Sequence, residues 1–266
     1  MRVSNNNPFG SSGLVKLKGQ DWLERQRIAG KAVAKTLNFL QQQVKEKTQL
    51  SLIELNKLAE DIIYDSGGEP TFKGYKGFPA GVCISVNKAL VHGIPTDYKL
   101  QEGDVISFDL GVTYEGAIAD SALTCIFGQP KLEKHIHLVK TTEESLMKGI
   151  RSIAVGKKLG CIGNAIHKFV KDTGYGLVNN YGGHGLEWNV PHAPPFVANK
   201  ADENEGIRIQ PGLAIAIEPM LTIGSPATRT GEDGWTVYTE DVGAHFEHSI
   251  FVHEDHVEII TDRSGL

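Results

Sequence analysis

The sequence predicts a duplicated α/β unit, and three observations carry that expectation. Helical apolar spacing followed by short β-rich runs occurs twice along the chain. QEGDVISFD, ending at Asp109, lies over QPGLAIAIE, ending at Glu218, with Gln, Gly and Ile matched and an acid in the same last place. Downstream, Ala117-Ile118-Ala119-Asp120 is echoed by Ala244-His245-Phe246-Glu247, each an apolar lead into one carboxylate. Either echo alone is no more than a Gly turn before a strand can produce. Together, in the same order, they place four carboxylates on equivalent strands.

The 266 residues suffice for one two-lobed domain with a substantial core. Residues 1–14 are polar and rich in Ser, Asn and Gly, and read as a flexible arm. Residues 15–266 follow as a single domain, its halves spanning about 15–130 and 131–266. Leu23, Ile28, Val33, Leu37 and Leu40 give 21–44 helical spacing. Ser51 with Glu54 forms a capping box and Gly67-Gly68 a stop, which predicts a second helix over 52–64. Strands follow at 82–86, 105–112 and 117–127. The second half repeats the order, with helices at 133–150 and 160–172 and strands at 213–221 and 244–253.

A net charge of -5 with dispersed Lys and Arg leaves no basic field for nucleic acid. The three cysteines, Cys83, Cys125 and Cys161, are widely spaced and without a CxxC, so they read as buried thiols in a reducing compartment. No secretory signal and no membrane-spanning apolar run is visible, which predicts a soluble cytoplasmic protein. Gly174 and Gly176 follow a helix, the wrong context for a dinucleotide site, and no complete P-loop or G-x-S-x-G is present. His135, His137 and His167 lie on polar helical segments, while His253 and His256 flank a turn at Glu254-Asp255; all five read as surface histidines.

The carboxylates carry the chemistry. Strand alternation puts Asp109 on a face with Val105 and Ser107, and Glu218 on a face with Ala214 and Ala216. Acids in apolar strands are costly unless their charge is compensated, and few Lys or Arg lie nearby to form buried ion pairs. Two divalent cations would compensate four carboxylates. Oxygen ligands with one imidazole and no thiolate favour Mn, Fe(II), Co or Zn, without deciding among them. The imidazole is sought in YGGHG, where glycines flank His184.

These segments together resemble the type I methionine aminopeptidases. The resemblance covers 15–261 and rests on GFPAGVCISVNKALVHGIP, SFDLGVTYEGAIADSALT, YGGHG, PGLAIAIEPML, DGWTVYTED and AHFEHSIFV, in that order. It implies the pita-bread fold, two pseudo-symmetric halves around a central antiparallel sheet, and hydrolytic removal of the initiator methionine from nascent peptides. It also implies the ligand set: Asp120 and Glu247 bridging two ions, Asp109 on one, His184 and Glu218 on the other. His92 matches a histidine at the reacting part of the substrate, and His192 one near the scissile carbonyl. Tyr75, Phe78 and Trp235 match the walls of the substrate pocket. Phe72, Lys76 and Glu187 stand where the family pattern has Cys, His and Gly, which bears on the dimensions of that pocket.

On this reading water acidified by the two ions attacks the peptide carbonyl, Glu218 carries its proton to the leaving amine, and His192 or His92 steadies the oxyanion. The partners implied are N-terminal peptides and the ribosome, with a monovalent cation near Asn87; a monomeric chain is the default, not something the residues indicate. Two other readings stay open. One is a proline-directed aminopeptidase or dipeptidase, a class that usually carries an additional N-terminal domain for which this chain leaves no room. The other is a non-enzymatic binding protein on the same scaffold.

Overall fold

The described residues open with two helices because their apolar and capping residues fall where a helix needs them. A computed structural model describes residues 15–265, so the arm read at 1–14 lies outside the described residues. The N-terminal elements are α1 (Gln20–Lys45), α2 (Leu52–Asp65), β1 (Glu69–Pro70), β2 (Cys83–Val86), β3 (Ala89–Val91), β4 (Val105–Tyr114) and β5 (Ala117–Ile126). The order recurs with α3 (Glu133–Arg151), α4 (Gly160–Val170), β6 (Tyr175–Leu177), β7 (Gly182–Glu187), β8 (Val190–Ala198), β9 (Ala214–Ile217) and β10 (Met220–Ile223). It closes with β11 (Thr228–Thr230), β12 (Val237–Thr239), β13 (Gly243–His245), β14 (His248–Val252) and β15 (Val257–Ile259).

Trp22, Ala29, Val33, Leu37, Leu40 and Val44 form the inner face of α1. Ile28, expected on that face, points outward at 41% exposure. Gln26 is buried instead, because its amide donates to the Ile118 carbonyl at 3.0 Å and ties the helix to β5. The capping box of α2 forms as expected: the Glu54 N–H donates to Ser51 Oγ, and the Ser51 N–H to Glu54 Oε2 at 2.7 Å. His135 corrects the reading of surface histidines. It is buried, because it shares the inner face of α3 with Leu138, Thr142 and Leu146, at helical spacing. His137 and His256 are exposed, whereas His167 and His253 are half-buried.

β4 and β5 form one uninterrupted antiparallel hairpin, from Val105 opposite Ile126 to Tyr114 opposite Ala117. Glu115 and Gly116 turn it with φ of 45° and 84°, the two left-handed positions of a tight two-residue connection. Ile106, Phe108 and Leu110 are fully buried on one face. Each is worth about 1.5–3 kcal/mol relative to exposure, which pins the register, since a one-residue slip would turn them all to the other face. In that register Asp109 lies opposite Ala122 and Asp120 opposite Gly111, so both acids project from the other face with small residues between them. β2 adds to β4 with Cys83 opposite Asp109.

The equivalent strands of the second half are not continuous. The strand expected over 213–221 divides into β9 and β10, and that over 244–253 into β13 and β14. Pairing runs from Ile217 opposite His248 on one side to Met220 opposite His245 on the other. Glu218-Pro219 and Phe246-Glu247 lie in the gap between. Pro219 has no N–H to give to the ladder, which accounts for the interruption. One side continues into a five-stranded sheet, β15-β14-β9-β7-β8, and the other into a three-stranded sheet, β13-β10-β6.

The halves join along β5. The Glu247 N–H donates to the Ala122 carbonyl at 3.0 Å, and Ser249 Oγ accepts from the Asp120 N–H at 2.7 Å and donates to the Asp120 carbonyl at 2.8 Å. A hydrophobic core continuous through both halves packs the helices against these sheets. The three cysteines are free thiols; Cys125 is only half-buried. Among the described residues no helix is long and apolar enough to cross a membrane.

Candidate functional site

The four echoed acids meet at this seam. Asp109 and Asp120 come from the middle of β4 and β5, Glu218 from the end of β9, and Glu247 from the gap before β14. His184 reaches them from β7, which lies between β8 and β9. Its neighbours must be glycine: a Cβ on Gly183 would stand 2.1 Å from the Ala216 carbonyl, and one on Gly185 2.0 Å from that of Pro194. His184 Nε2 then lies 3.8 Å from Asp120 Oδ2, 3.6 Å from Glu218 Oε1 and 3.8 Å from Glu247 Oε1. Two compact donor groups result, Asp109 with Asp120 and Glu247, and His184 with Glu218 and Glu247. They share Glu247. A third, overlapping group joins Asp120, His184 and His192.

Burial dominates the electrostatics. It pushes the Asp109 carboxyl well above its usual range, with the Asp120 charge adding to the effect, and pushes Asp120 up to about 7. Glu218 and Glu247 are raised well above the ordinary range by burial and then by the neighbouring carboxylates. Among the described residues no Lys or Arg pairs with any of the four. Arg263 exerts only an opposing pull on Glu247, and its guanidinium is held by Ser121 Oγ at 2.9 Å. Asp109 Oδ1, Asp120 Oδ1 and Glu247 Oε1 are buried without a hydrogen-bond partner. Repelling acids with unsatisfied oxygens and a shared carboxylate fit divalent cations, and no buried ion-pair network takes their place. Burial lowers His184 to about 4, which keeps its imidazole in the neutral form that binds metal. Cys83 lines the same space but belongs to none of the three donor groups.

A cavity of about 250 Å³ opens over the acids. All ten residues singled out from the sequence line it: the five above, His92 and His192, and the aromatic Tyr75, Phe78 and Trp235. Phe78 and Trp235 meet edge to face with centroids 5.2 Å apart. His192 lies 4.4 Å from His184, ring to ring, and 5.3 Å from Tyr75. Burial lowers His92 to about 4 and His192 well below the usual imidazole value. His92 has a φ of 57°, a left-handed conformation rare outside glycine and of a kind that gathers at functional sites. Phe72 and Lys76 also line the cavity, Phe72 6.1 Å from the His192 ring. Glu187 does not; it turns back to Lys18 at 2.9 Å, so its departure from the family pattern leaves the cavity wall untouched.

Two residues of the site escaped the sequence reading. Asn199 is buried, and its amide donates to the Glu218 carbonyl at 3.1 Å, anchoring the backbone at the break after β9. No motif flags it. His245 is 1% exposed, and its Nε2 lies 3.4 Å from Glu218 Oε2. Burial lowers it to about 3. A signal for it did exist, since in the second echo an imidazole stands where the first half has Ile118.

The model of metallopeptidase family M24 matches residues 24–254. The methionine aminopeptidase of Mycoplasma capricolum subsp. capricolum is 39% identical over 250 residues, covering 93% of this chain and 98% of that protein. The crystal structure of methionine aminopeptidase from Rickettsia prowazekii aligns with a TM-score of 0.89 at 34% identity, over 94% of this chain and all of that one. A more distant likeness, to the prolidase from Pyrococcus furiosus, has a TM-score of 0.72 at 19% identity over 92% of this chain and 65% of that one, and speaks for the fold alone. The two pseudo-symmetric halves are thus the pita-bread architecture expected from the sequence. The chain belongs to metallopeptidase family M24 and, within it, to the methionine aminopeptidases.

Proposed function

We propose that this enzyme hydrolyses the peptide bond after an N-terminal methionine, with two divalent ions held by Asp109, Asp120, His184, Glu218 and Glu247. The observation that carries this reading is the pair of buried donor groups sharing Glu247. Mn, Fe(II), Co and Zn all suit the donor set. When bound, the ions supply Lewis-acid polarisation of the scissile carbonyl and lower the pKa of water.

The remaining work falls to the chain. Glu218 has one oxygen toward His184 and the other toward His245, and it lines the cavity floor, so it can take a proton from water and pass it to the departing amine. His192 and His92 line the same cavity as neutral imidazoles able to donate to the tetrahedral oxygen. Tyr75, Phe78 and Trp235, with Phe72, enclose an apolar side chain of methionine's size. The acids at the floor favour a free α-amino group at that end, which makes the reaction an exopeptidase one. Residues 15–266 act as one catalytic domain, monomeric and cytoplasmic, and meet substrates as they leave the ribosome.

The test is steady-state hydrolysis of Met-Ala-Ser and Ala-Pro-Ala by the full chain, loaded in turn with each of the four metals. Cleavage of the first peptide and not the second supports the reading. Preference for the second would assign a proline-directed enzyme, and no turnover with any metal would leave a binding protein.

A further inference from the structure

We infer that His245 is a positioning residue for Glu218, its ring N–H holding one carboxylate oxygen so that the other faces His184 and the shared donor group. The inference rests on the reading of Glu218 as ligand and proton carrier.

Glu218 lies between two imidazoles. Its Oε1 is 3.6 Å from His184 Nε2, and its Oε2 is 3.4 Å from His245 Nε2. The two contacts differ in kind. His184 joins Glu218 and Glu247 in a compact donor group, whereas His245 belongs to none of the three groups that could hold an ion. Both ring nitrogens of His245 are buried without a hydrogen-bond partner. A neutral imidazole has one N–H to place, and buried polar groups are rarely left unsatisfied. Of its two nitrogens, Nε2 faces the carboxylate, so the proton belongs there. At 3.4 Å the contact is longer than a formed hydrogen bond, and contacts of this sort tighten when a site is filled.

Both backbones are anchored, which makes the encounter a built one. The His245 N–H donates to Thr124 Oγ1 at 2.9 Å, and the same hydroxyl donates to the His245 carbonyl at 2.8 Å, clamping the end of β13 to β5. Across the gap, Asn199 holds the Glu218 carbonyl. His245 pairs with Met220, immediately beyond the Glu218-Pro219 break, so the interruption in the strands is what lets the carboxylate turn toward the ring. A ligand supported in this way keeps one orientation, and loss of such support commonly costs 10–100-fold in metal affinity or activity.

The experiment compares the wild-type chain with His245→Gln, His245→Asn and His245→Leu. The amide nitrogen of Gln reaches about as far as Nε2, the shorter Asn does not, and Leu has no donor. Calorimetric titration of the metal-free proteins with Mn(II) is read beside kcat and KM for Met-Ala-Ser and beside the melting temperature. For Asn and Leu we expect roughly 10–100-fold losses in kcat and in the affinity of one of the two ions. KM should change less than about threefold, and Gln should keep both quantities within about fivefold of wild type. Wild-type affinity and kcat in Asn would overturn the inference. So would equal losses in Gln and Asn together with a lowered melting temperature, which would mark a packing role. If Leu does not fold, the Gln and Asn pair decides. Failure of the wild type to cleave Met-Ala-Ser would strike the proposed function, while the Mn(II) affinities would still test His245.

Discussion

The two strand pairs that carry the acids are related by the repeat, yet they are built differently. β4 and β5 are continuous, and hold Asp109 and Asp120 among Ala122, Gly111 and Cys83, with His184 reaching Asp120 from β7 at 3.8 Å. Their counterparts break at Glu218-Pro219 and Phe246-Glu247, and into that break come His184 and His245. Each strand pair thus supplies two acids, and the break makes the set asymmetric. The interrupted pair lets Glu218 turn between two imidazoles, the arrangement on which its proposed proton-carrying role rests.

The largest effect should come from the broken side. Glu218→Gln keeps the size of the side chain and removes the proposed base, and kcat for a methionyl peptide should fall by roughly 10³-fold, a loss within the range for a general base. Full activity with metals bound would refute its role. Next is the approach of β7. Gly183→Ala puts a methyl group against the Ala216 carbonyl, and denaturant unfolding should show a loss of roughly 1–3 kcal/mol, the usual cost of overpacking, together with weaker metal binding because His184 is displaced. An unchanged midpoint would mean that the strands can part without cost.

The pH dependence follows from the raised carboxyls. Asp120 titrates at about 7 in the fold against about 3.9 in the unfolded chain, and burial raises Asp109, Glu218 and Glu247 as well, so as pH rises toward 7 the folded metal-free protein still binds protons that the unfolded chain has released. Stability of a raised acid is lost as pH rises through its folded pKa. The buried histidines, lowered in the fold, do not counter this, since above about pH 7.5 they are neutral in both states. The melting temperature of the metal-free protein should therefore fall as pH rises through about 7, by about 2–4 °C for each kcal/mol lost. Bound metal should abolish the slope. A metal-free melting temperature that rises over this range would contradict the burial of these acids. The smallest effect belongs to the pocket. Phe72→Cys widens it beside His192, and kcat/KM for methionyl peptides should change by roughly 3–10-fold, a packing effect on an apolar side chain. A change above 100-fold would place Phe72 closer to the chemistry than its position implies.

Much of this was legible in residue types and spacing. The echo aligned Asp109 with Glu218 and Asp120 with Glu247, and the fold brings these four acids to one seam. The helices were read within a few residues, the α2 capping box included. What escaped depended on through-space partners. Continuous strands were expected at 213–221 and 244–253 because their apolar runs continue across the break, and the missing N–H of Pro219 outweighs that pattern. Ile28 and His135 faced the wrong way because a long-range hydrogen bond turns Gln26 inward in one case, and in the other His135 falls on the buried stripe of Leu138, Leu146 and Ile150 within an otherwise polar helix. His245 carried its own clue, as the residue that departs from the echo.

The asymmetry between the halves is tested most directly by the stoichiometry of metal binding. Metal-free wild type and Asp109→Asn are titrated with Mn(II) by isothermal calorimetry, with bound metal counted after gel filtration. Two ions per wild-type chain and one in the variant, retained by His184, Glu218 and Glu247, are the expected result. One ion or none in the wild type, or two held with equal affinity after Asp109→Asn, would contradict a centre built from two unlike halves.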